Sequence, residues 1–192
     1  MGVVSPADMT LGGVESRYAR IERERRFLLR ELPAGLRLSD AHTQITDNYI
    51  TGTRLRLRKV RVPVTNEWTL KLTQKHAPDP PDFSRTLITN IYLNQLEYET
   101  LSVFEANEIR KNRYSYEHEG RRYSVDVFLG PLRGLILAES DFDSDEEMDA
   151  FPLPSFAVAD VSRDSLFTGG SLVELTAEDI RKELKSRMMN AE

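Results

Sequence analysis

The sequence predicts an α+β protein built on antiparallel strands, and three observations indicate this class. Seven segments place apolar side chains at every second residue, which is the period of a half-buried strand. Turn signals rich in glycine and proline separate several of these segments. Three helix starts lie between or after them. We expect one domain over residues 18–192, preceded by a flexible lead-in at 1–17, because a chain of 192 residues can bury one sizeable core.

The predicted strands follow one another along the chain, with turns between several of them. The turn signals are a proline-rich stretch at 76–82, the pair Glu119-Gly120 and a glycine-flanked stretch at 130–134. Short connections join antiparallel neighbours, so residues 108–142 are predicted to form a meander. In chain order, the strands are predicted at 20–29, 52–62, 67–74, 84–92, 108–117, 121–129 and 134–142.

The helices are predicted from their first residues. At each start, a residue that can cap a helix is followed three positions later by an acid, which is the pattern of a capping box. The pairs are Asn94 with Glu97, Ser144 with Glu147, and Thr176 with Asp179. In the C-terminal helix, Ile180, Leu184 and Met188 form an apolar stripe that is expected to pack against the sheet.

Charged side chains recur on one face of the predicted strands. In the second strand Arg54, Arg56 and Arg58 share one face, while Leu55 and Leu57 take the other. A late strand places acids on one face in the same way. A sandwich would expose such a face to water, whereas a closed barrel can turn it toward a wet interior. Alternation does not say which face is inside, so the residues leave both architectures open.

The first strand carries the most informative charges. Glu22, Glu24 and Arg26 stand at every second position and would line one surface. Two carboxylates at this spacing suit a hard cation, and the adjacent guanidinium suits an anion, so the triplet fits a metal-bound phosphate. A solvated edge strand with surface charges is the alternative interpretation.

Composition and missing motifs narrow the chemistry. The net charge of −5 disfavours a general nucleic-acid binder, and the absence of cysteine excludes disulfides, thiolate zinc sites and a cysteine nucleophile. No apolar run approaches the ~20 residues of a membrane span, and a cytoplasmic location is expected. The phosphate loop, the dinucleotide fingerprint, the nucleophile elbow and the zinc-protease helix are all missing, and His42, His76 and His118 fall in predicted loops or turns. The chemistry therefore rests on carboxylates and cations.

Seven stretches, in a fixed order, carry a resemblance to a known family. They are Glu22-Arg23-Glu24-Arg25-Arg26, Leu55-Arg56-Leu57-Arg58, Thr69-Leu70-Lys71, Arg110-Lys111-Asn112-Arg113, Val125-Asp126-Val127-Phe128, Gly130-Pro131-Leu132-Arg133-Gly134-Leu135 and Leu137-Ala138-Glu139-Ser140-Asp141-Phe142. The first stretch is similar to an ExExK signature with Arg26 in the lysine place. From about residue 22 to 172 the chain resembles the CYTH domain, also called the triphosphate tunnel metalloenzymes.

The resemblance implies an eight-stranded antiparallel β-barrel that forms a tunnel, with flanking helices. It also implies bound Mg²⁺ or Mn²⁺ and a small-molecule triphosphate substrate. The implied metal ligands are Glu22, Glu24, Glu139 and Asp141, with Asp126 holding a metal-bound water or a neighbouring cation. The implied phosphate contacts are Arg26, Arg54, Arg56, Arg58, Lys71, Arg85, Lys111 and Arg113. Glu22, Glu24 and Arg26 are the implied catalytic residues.

Three departures from the family pattern bear on turnover more than on anion binding. Arg26 stays protonated, so a proton-transfer role at that position is lost. Leu87 and Thr89 stand where the family generally shows alternate acids, which removes an expected contributor to the metal environment. Gly169 stands at the place of an asparagine.

The function predicted from these observations is a metal-dependent triphosphatase acting on inorganic triphosphate or a related organic triphosphate. The alternatives within the same fold are an adenylyl cyclase and a thiamine triphosphatase. A non-catalytic module that binds polyphosphate or nucleotide is a third reading, and a structural protein with merely solvated charges is a fourth. We expect no nucleic-acid or membrane partner, and a monomer or homodimer.

Overall fold

A computed structural model of the chain describes residues 19–189. The lead-in predicted at 1–17 lies outside these residues. The strands are β1 (Ala19–Leu28), β2 (His42–Ile50), β3 (Leu55–Val62), β4 (Glu67–His76), β5 (Arg85–Leu93), β6 (Ala106–His118), β7 (Arg121–Phe128), β8 (Ile136–Asp141) and β9 (Ala159–Asp160). The helices are α1 (Gln95–Leu101), α2 (Asp145–Ala150), α3 (Gly169–Leu172) and α4 (Ala177–Met189).

Strands β1 to β8 close into an antiparallel barrel. Around the barrel the strands follow the order β5, β4, β3, β2, β6, β7, β8, β1, and β1 returns to β5. Closure depends on β1, which pairs with β5 from Ala19 to Arg23 and with β8 from Glu24 to Leu28. The short β9 adds to β1 at Phe27 and Leu28. The predicted eight-stranded barrel with flanking helices is confirmed.

Closure decides which strand face is inside. Charged side chains of β1, β3 and β4 line the interior of the barrel. Many apolar side chains either face outward from the barrel or pack at one end of its interior. Outside the barrel, Phe27 and Val125 belong to a cluster that packs under Phe151 and Phe156. A second cluster closes one end of the interior, and it contains Leu28, Ile109, Phe128, Leu137, Phe167 and Leu172.

The predicted helix starts are confirmed by their caps. The Asn94 side chain accepts from the Glu97 backbone N–H, and the Glu97 side chain accepts in return from Asn94 N–H. Thr176 and Asp179 form the same reciprocal pair of bonds. At the start of α2 only one bond of the pair is formed, in which the Ser144 hydroxyl accepts from the Glu147 backbone N–H. In α4 the predicted stripe packs on the cluster that closes the barrel end, with Ile180 fully buried.

The predicted strands match β1 and β3 to β8 within a few residues, but β2 was not predicted. Its sequence, His-Thr-Gln-Ile-Thr-Asp-Asn-Tyr-Ile, lacks apolar alternation because its inward residues include a buried acid. The histidines predicted in loops instead begin β2 and end β4 and β6, so that placement was wrong. Within the described residues, no helix has the length and apolar character needed to cross a membrane.

Candidate functional site

The barrel encloses a cavity of about 500 Å³ whose lining is densely charged. Among residues 19–189, nine cations and five acids line it, a formal excess of four positive charges. The cations are Arg20, Arg26, Arg54, Arg56, Arg58, Lys71, Lys75, Lys111 and Arg113, and the acids are Glu22, Glu24, Asp47, Glu139 and Asp141. A cationic cavity of this size suits a small polyanion.

Four of the acids form one wall, which we call the acid wall: Glu22, Glu24, Glu139 and Asp141. Register brings them together, because Glu24 lies opposite Asp141 and Arg26 lies opposite Glu139 across the β1–β8 pair. Arg26 donates to Glu24 at 2.5 Å from Nη2 and to Glu139 at 3.2 Å from Nε. Arg26 of β1 therefore links the carboxylates of β1 and β8 within the acid wall.

The acid wall carries an electrostatic cost. Burial and the nearby Glu139 carboxylate raise the pKa of Glu24, although Arg26 and Lys75 oppose the shift. Burial and Glu22 likewise raise the pKa of Asp141. Glu139 behaves differently, because Arg113, Lys111 and Arg26 overcome its burial and hold its pKa well below the ordinary value. Burial, neighbouring carboxylates and the uneven distribution of cations together account for this spread.

A second part of the cavity lining, which we call the cation wall, consists of Arg56, Arg58, Lys71, Lys111 and Arg113. It adjoins the acid wall, because Arg113 pairs with Glu139. The register places Arg58 beside Lys71, so cations of β3 and β4 are neighbours. Lys111 and Arg113 come from β6 and both donate to Asp126, which lies beneath them on β7 and is fully buried. Burial and the nearby Arg58 and Arg56 lower the pKa of Lys71 to about 8. Its ammonium makes no ion pair with a described residue.

The structure gathers most of the predicted site residues in one cavity. The predicted residues that line it are Glu22, Glu24, Arg26, Arg54, Arg56, Arg58, Lys71, Lys111, Arg113, Glu139 and Asp141. Asp126 faces inward but is covered by the two β6 cations, so its contacts fit the holding of neighbouring cations. Arg85 lies on the outer face, where it pairs with Asp82, Asp145 and Asp149. The structure thus removes Arg85 from the predicted phosphate contacts, because its parity on β5 points it away from the cavity.

The departures at Leu87, Thr89 and Gly169 also have structural positions. Leu87 and Thr89 share the outward parity of Arg85, and the inward residues of β5 are the uncharged Thr86, Ile88 and Asn90. At Gly169, an added Cβ would lie 1.8 Å from the Tyr49 hydroxyl oxygen. The aromatic ring therefore occupies the space that a side chain at position 169 would need.

Four cavity residues with charged or phenolic side chains were missed from the sequence. Arg20 is one of them, and it shares the parity of Glu22 and Glu24 on β1. Asp47 and Tyr49 lie on the unpredicted β2, where Ile45, Tyr49 and the threonines were an available strand signal. Lys75 forms an ion pair with Glu22 and has the same parity as Lys71, but it lies one residue beyond the predicted end of that strand. The alternation of inward side chains continues to Lys75, so a predicted strand one residue longer would include this cation.

The acid wall has the donor chemistry for a hard divalent cation, since carboxylate oxygens are the ligands that Mg²⁺ and Mn²⁺ prefer. Within residues 19–189, however, no three acidic or histidine side chains converge closely enough to hold an ion as they stand. Their oxygens are instead bonded to Arg26, Arg113 and Lys75. The acid wall therefore has the right ligand type for a divalent metal ion. To bind one, its carboxylates would have to exchange their bonds to these cations for bonds to the metal.

No model of a protein family matches the chain. Over 97 residues it is 33% identical to an inorganic triphosphatase of Acetivibrio thermocellus, a match that covers 45% of this chain. The chain spans 61% of the length of that relative.

Two solved structures of one protein, NE1496, are similar to this chain at a TM-score of 0.54 and 24% identity. The first, described as a hypothetical protein, matches over 81% of this chain and 99% of its own. The second, described as an inorganic triphosphatase, matches over 79% of this chain and 93% of its own. This likeness shows a shared fold.

Proposed function

We propose, from the triphosphate tunnel (CYTH) fold that this chain has, that it is a metal-dependent triphosphatase acting on inorganic triphosphate or a related organic triphosphate. The observation that carries the proposal is the cavity, whose lining combines an acid wall with a cation wall inside a closed barrel. The relative from Acetivibrio thermocellus, itself an inorganic triphosphatase, supports the choice of substrate.

The cation wall would hold the phosphates. Guanidinium groups bind phosphate oxygens at two points, and an ammonium adds a point charge. Arg56, Arg58 and Arg113 supply the first kind of contact, and Lys71 and Lys111 supply the second. Because these groups are mostly buried, their charges act at low effective dielectric and are weakly screened by salt.

The acid wall would hold Mg²⁺ or Mn²⁺ through Glu22, Glu24, Glu139 and Asp141. A bound divalent cation would neutralise charge that develops on phosphate oxygens. The raised pKa values of Glu24 and Asp141 support this placement, because they reflect buried carboxylates that also repel one another, and a bound cation would stabilise their charged forms. Arg26, which is bonded to both Glu24 and Glu139, would then be released toward a phosphate oxygen.

The test is phosphate release from inorganic triphosphate with Mg²⁺ or Mn²⁺, with ATP and thiamine triphosphate as competing substrates. We expect release by the wild type and a loss of about 100-fold or more in Glu24→Gln, since that variant removes a charge from the acid wall. Glu119→Gln is the control, because that side chain is 83% exposed at the turn between β6 and β7. No release by the wild type, or equal release by Glu24→Gln, would refute the proposal.

A binding module without turnover is the second candidate, and one observation favours it. Each of Glu22, Glu24 and Glu139 is already bonded to a cation, and β5 contributes no acid to the cavity. Calorimetry separates the two candidates. Tight triphosphate binding with no phosphate released under any metal would select the binding module.

A further inference from the structure

Asp47 is a buried acid set among the cations of the cation wall. It lies on β2 and is 2% exposed. Arg58 donates to it from Nε to Oδ1 at 2.5 Å and from Nη2 to Oδ2 at 2.6 Å. Arg56 Nε lies 3.5 Å from Oδ1, and that nitrogen is buried without a hydrogen-bond partner in the part of the chain that the structure describes.

The two-point bond fixes one edge of the Arg58 guanidinium. Nε and one N–H of Nη2 are committed to Asp47, so Nη1 and the remaining N–H of Nη2 are left for another acceptor. The bond also holds the guanidinium plane, because a planar fork on a carboxylate has little rotational freedom. Since Arg58 lines the cavity, the remaining donors are set in advance for a ligand there.

Asp47 also offsets charge. Without it, the formal excess of the cavity lining would rise from four to five positive charges. A polyanion and its shorter cleavage products would then be held more tightly, and the increase would be larger for ligands that carry more charge.

We propose that Asp47 is a positioning and affinity-setting residue of the triphosphate site, which orients Arg58 for a phosphate and weakens the hold of the cation wall on anions. This inference rests on the proposed function for the identity of the ligand. In that setting Asp47 lets the products of cleavage dissociate while Arg58 keeps its orientation.

The experiment is calorimetric titration of inorganic triphosphate, pyrophosphate and orthophosphate, without metal, into the wild type and Asp47→Asn. We expect Asp47→Asn to bind triphosphate about tenfold more tightly, pyrophosphate less so and orthophosphate least, since the gain follows ligand charge. With metal present, kcat and KM should fall together. Asp143→Asn, at an exposed acid outside the cavity, is the matched control.

Asp47→Asn removes the counter-charge of two buried guanidinium groups and could destabilise the fold. A second pair of variants therefore tests the same proposal independently. Arg58→Gln should weaken triphosphate binding about tenfold because Asp47 then repels the ligand unpaired. Adding Asp47→Asn to Arg58→Gln restores the net charge, and should recover most of that affinity while turnover stays low.

The outcomes separate the two proposals. Equal or weaker binding of all three anions by folded Asp47→Asn, or no recovery in the double variant, would overturn the assignment of Asp47. Wild-type protein that binds triphosphate but releases no phosphate would overturn the triphosphatase and leave the binding series to decide on Asp47. Failure of the wild type to bind triphosphate would overturn both.

Discussion

At the scale of single residues, anion binding depends on which cations of the cavity already have a carboxylate partner. Within the cation wall, Arg58 is paired with Asp47, and Lys111 and Arg113 are paired with Asp126. Lys71 makes no ion pair with a described residue, and burial together with Arg58 and Arg56 lowers its pKa to about 8 although Asp47 opposes the shift. An arriving phosphate would supply the missing counter-charge at this position.

Triphosphate binding should therefore weaken as pH rises through about 8, the pKa of Lys71. The ammonium is fully charged below this pH and is lost above it, while the bound ligand favours the charged form. Affinity should fall by up to about tenfold per pH unit through one proton. Lys71→Arg should remove this component, because arginine stays protonated.

Calorimetry between pH 7 and 9 measures the effect in both proteins. The ligand's own titration is common to both, so the difference between them isolates Lys71. Identical pH profiles for the wild type and Lys71→Arg would contradict the role assigned to this ammonium.

Sequence alternation located much of the site at residue scale, because inward charges on β1, β3 and β4 keep one parity. It did not locate Asp47, since the buried side of β2 includes an acid that interrupts the apolar period, and only the β-propensity of its residues marks the strand. It also misplaced Arg85, because a cation on either face of a strand looks the same in sequence. The ion pairs with Asp82, Asp145 and Asp149 settle its face.

At the scale of elements, the short helix α3 closes the barrel by close packing on β2. Residues 167–170 and Leu172 line the cavity, and Gly169 lies against the Tyr49 ring. Although burial opposes the shift, Asp47 and then Tyr49 raise the pKa of Arg56, so the packing of α3 reaches the cation wall. Gly169 thus serves a close approach that any side chain would prevent.

Gly169→Ala should destabilise the fold by about 1–3 kcal/mol, because the new methyl group overlaps the Tyr49 hydroxyl and forces the ring to move. Gly170→Ala is the matched control: an added Cβ there meets nothing within 4 Å, and alanine is the better helix former. Urea unfolding of both variants measures the difference. Equal stability of the two variants would contradict the close packing of α3.

At the scale of the whole molecule, closure of the sheet turns a charged face into a site. The same alternation would give a solvated surface in an open sandwich, and sequence parity does not distinguish these cases. The pairing of β1 with both β5 and β8 settles the matter, because it places Glu22, Glu24 and Arg26 inside. Long-range pairing of this kind has no local sequence signal, so the barrel was implied by family resemblance rather than by periodicity.

The central claim is that the barrel interior binds a triphosphate between the cation wall and the acid wall. A crystal structure of the chain grown with inorganic triphosphate tests it most directly. We predict phosphate oxygens within hydrogen-bond distance of Arg56, Arg58 and Lys71, inside the cavity. Triphosphate bound on the outer face, or an interior that stays free of it at saturating concentration, would contradict the claim.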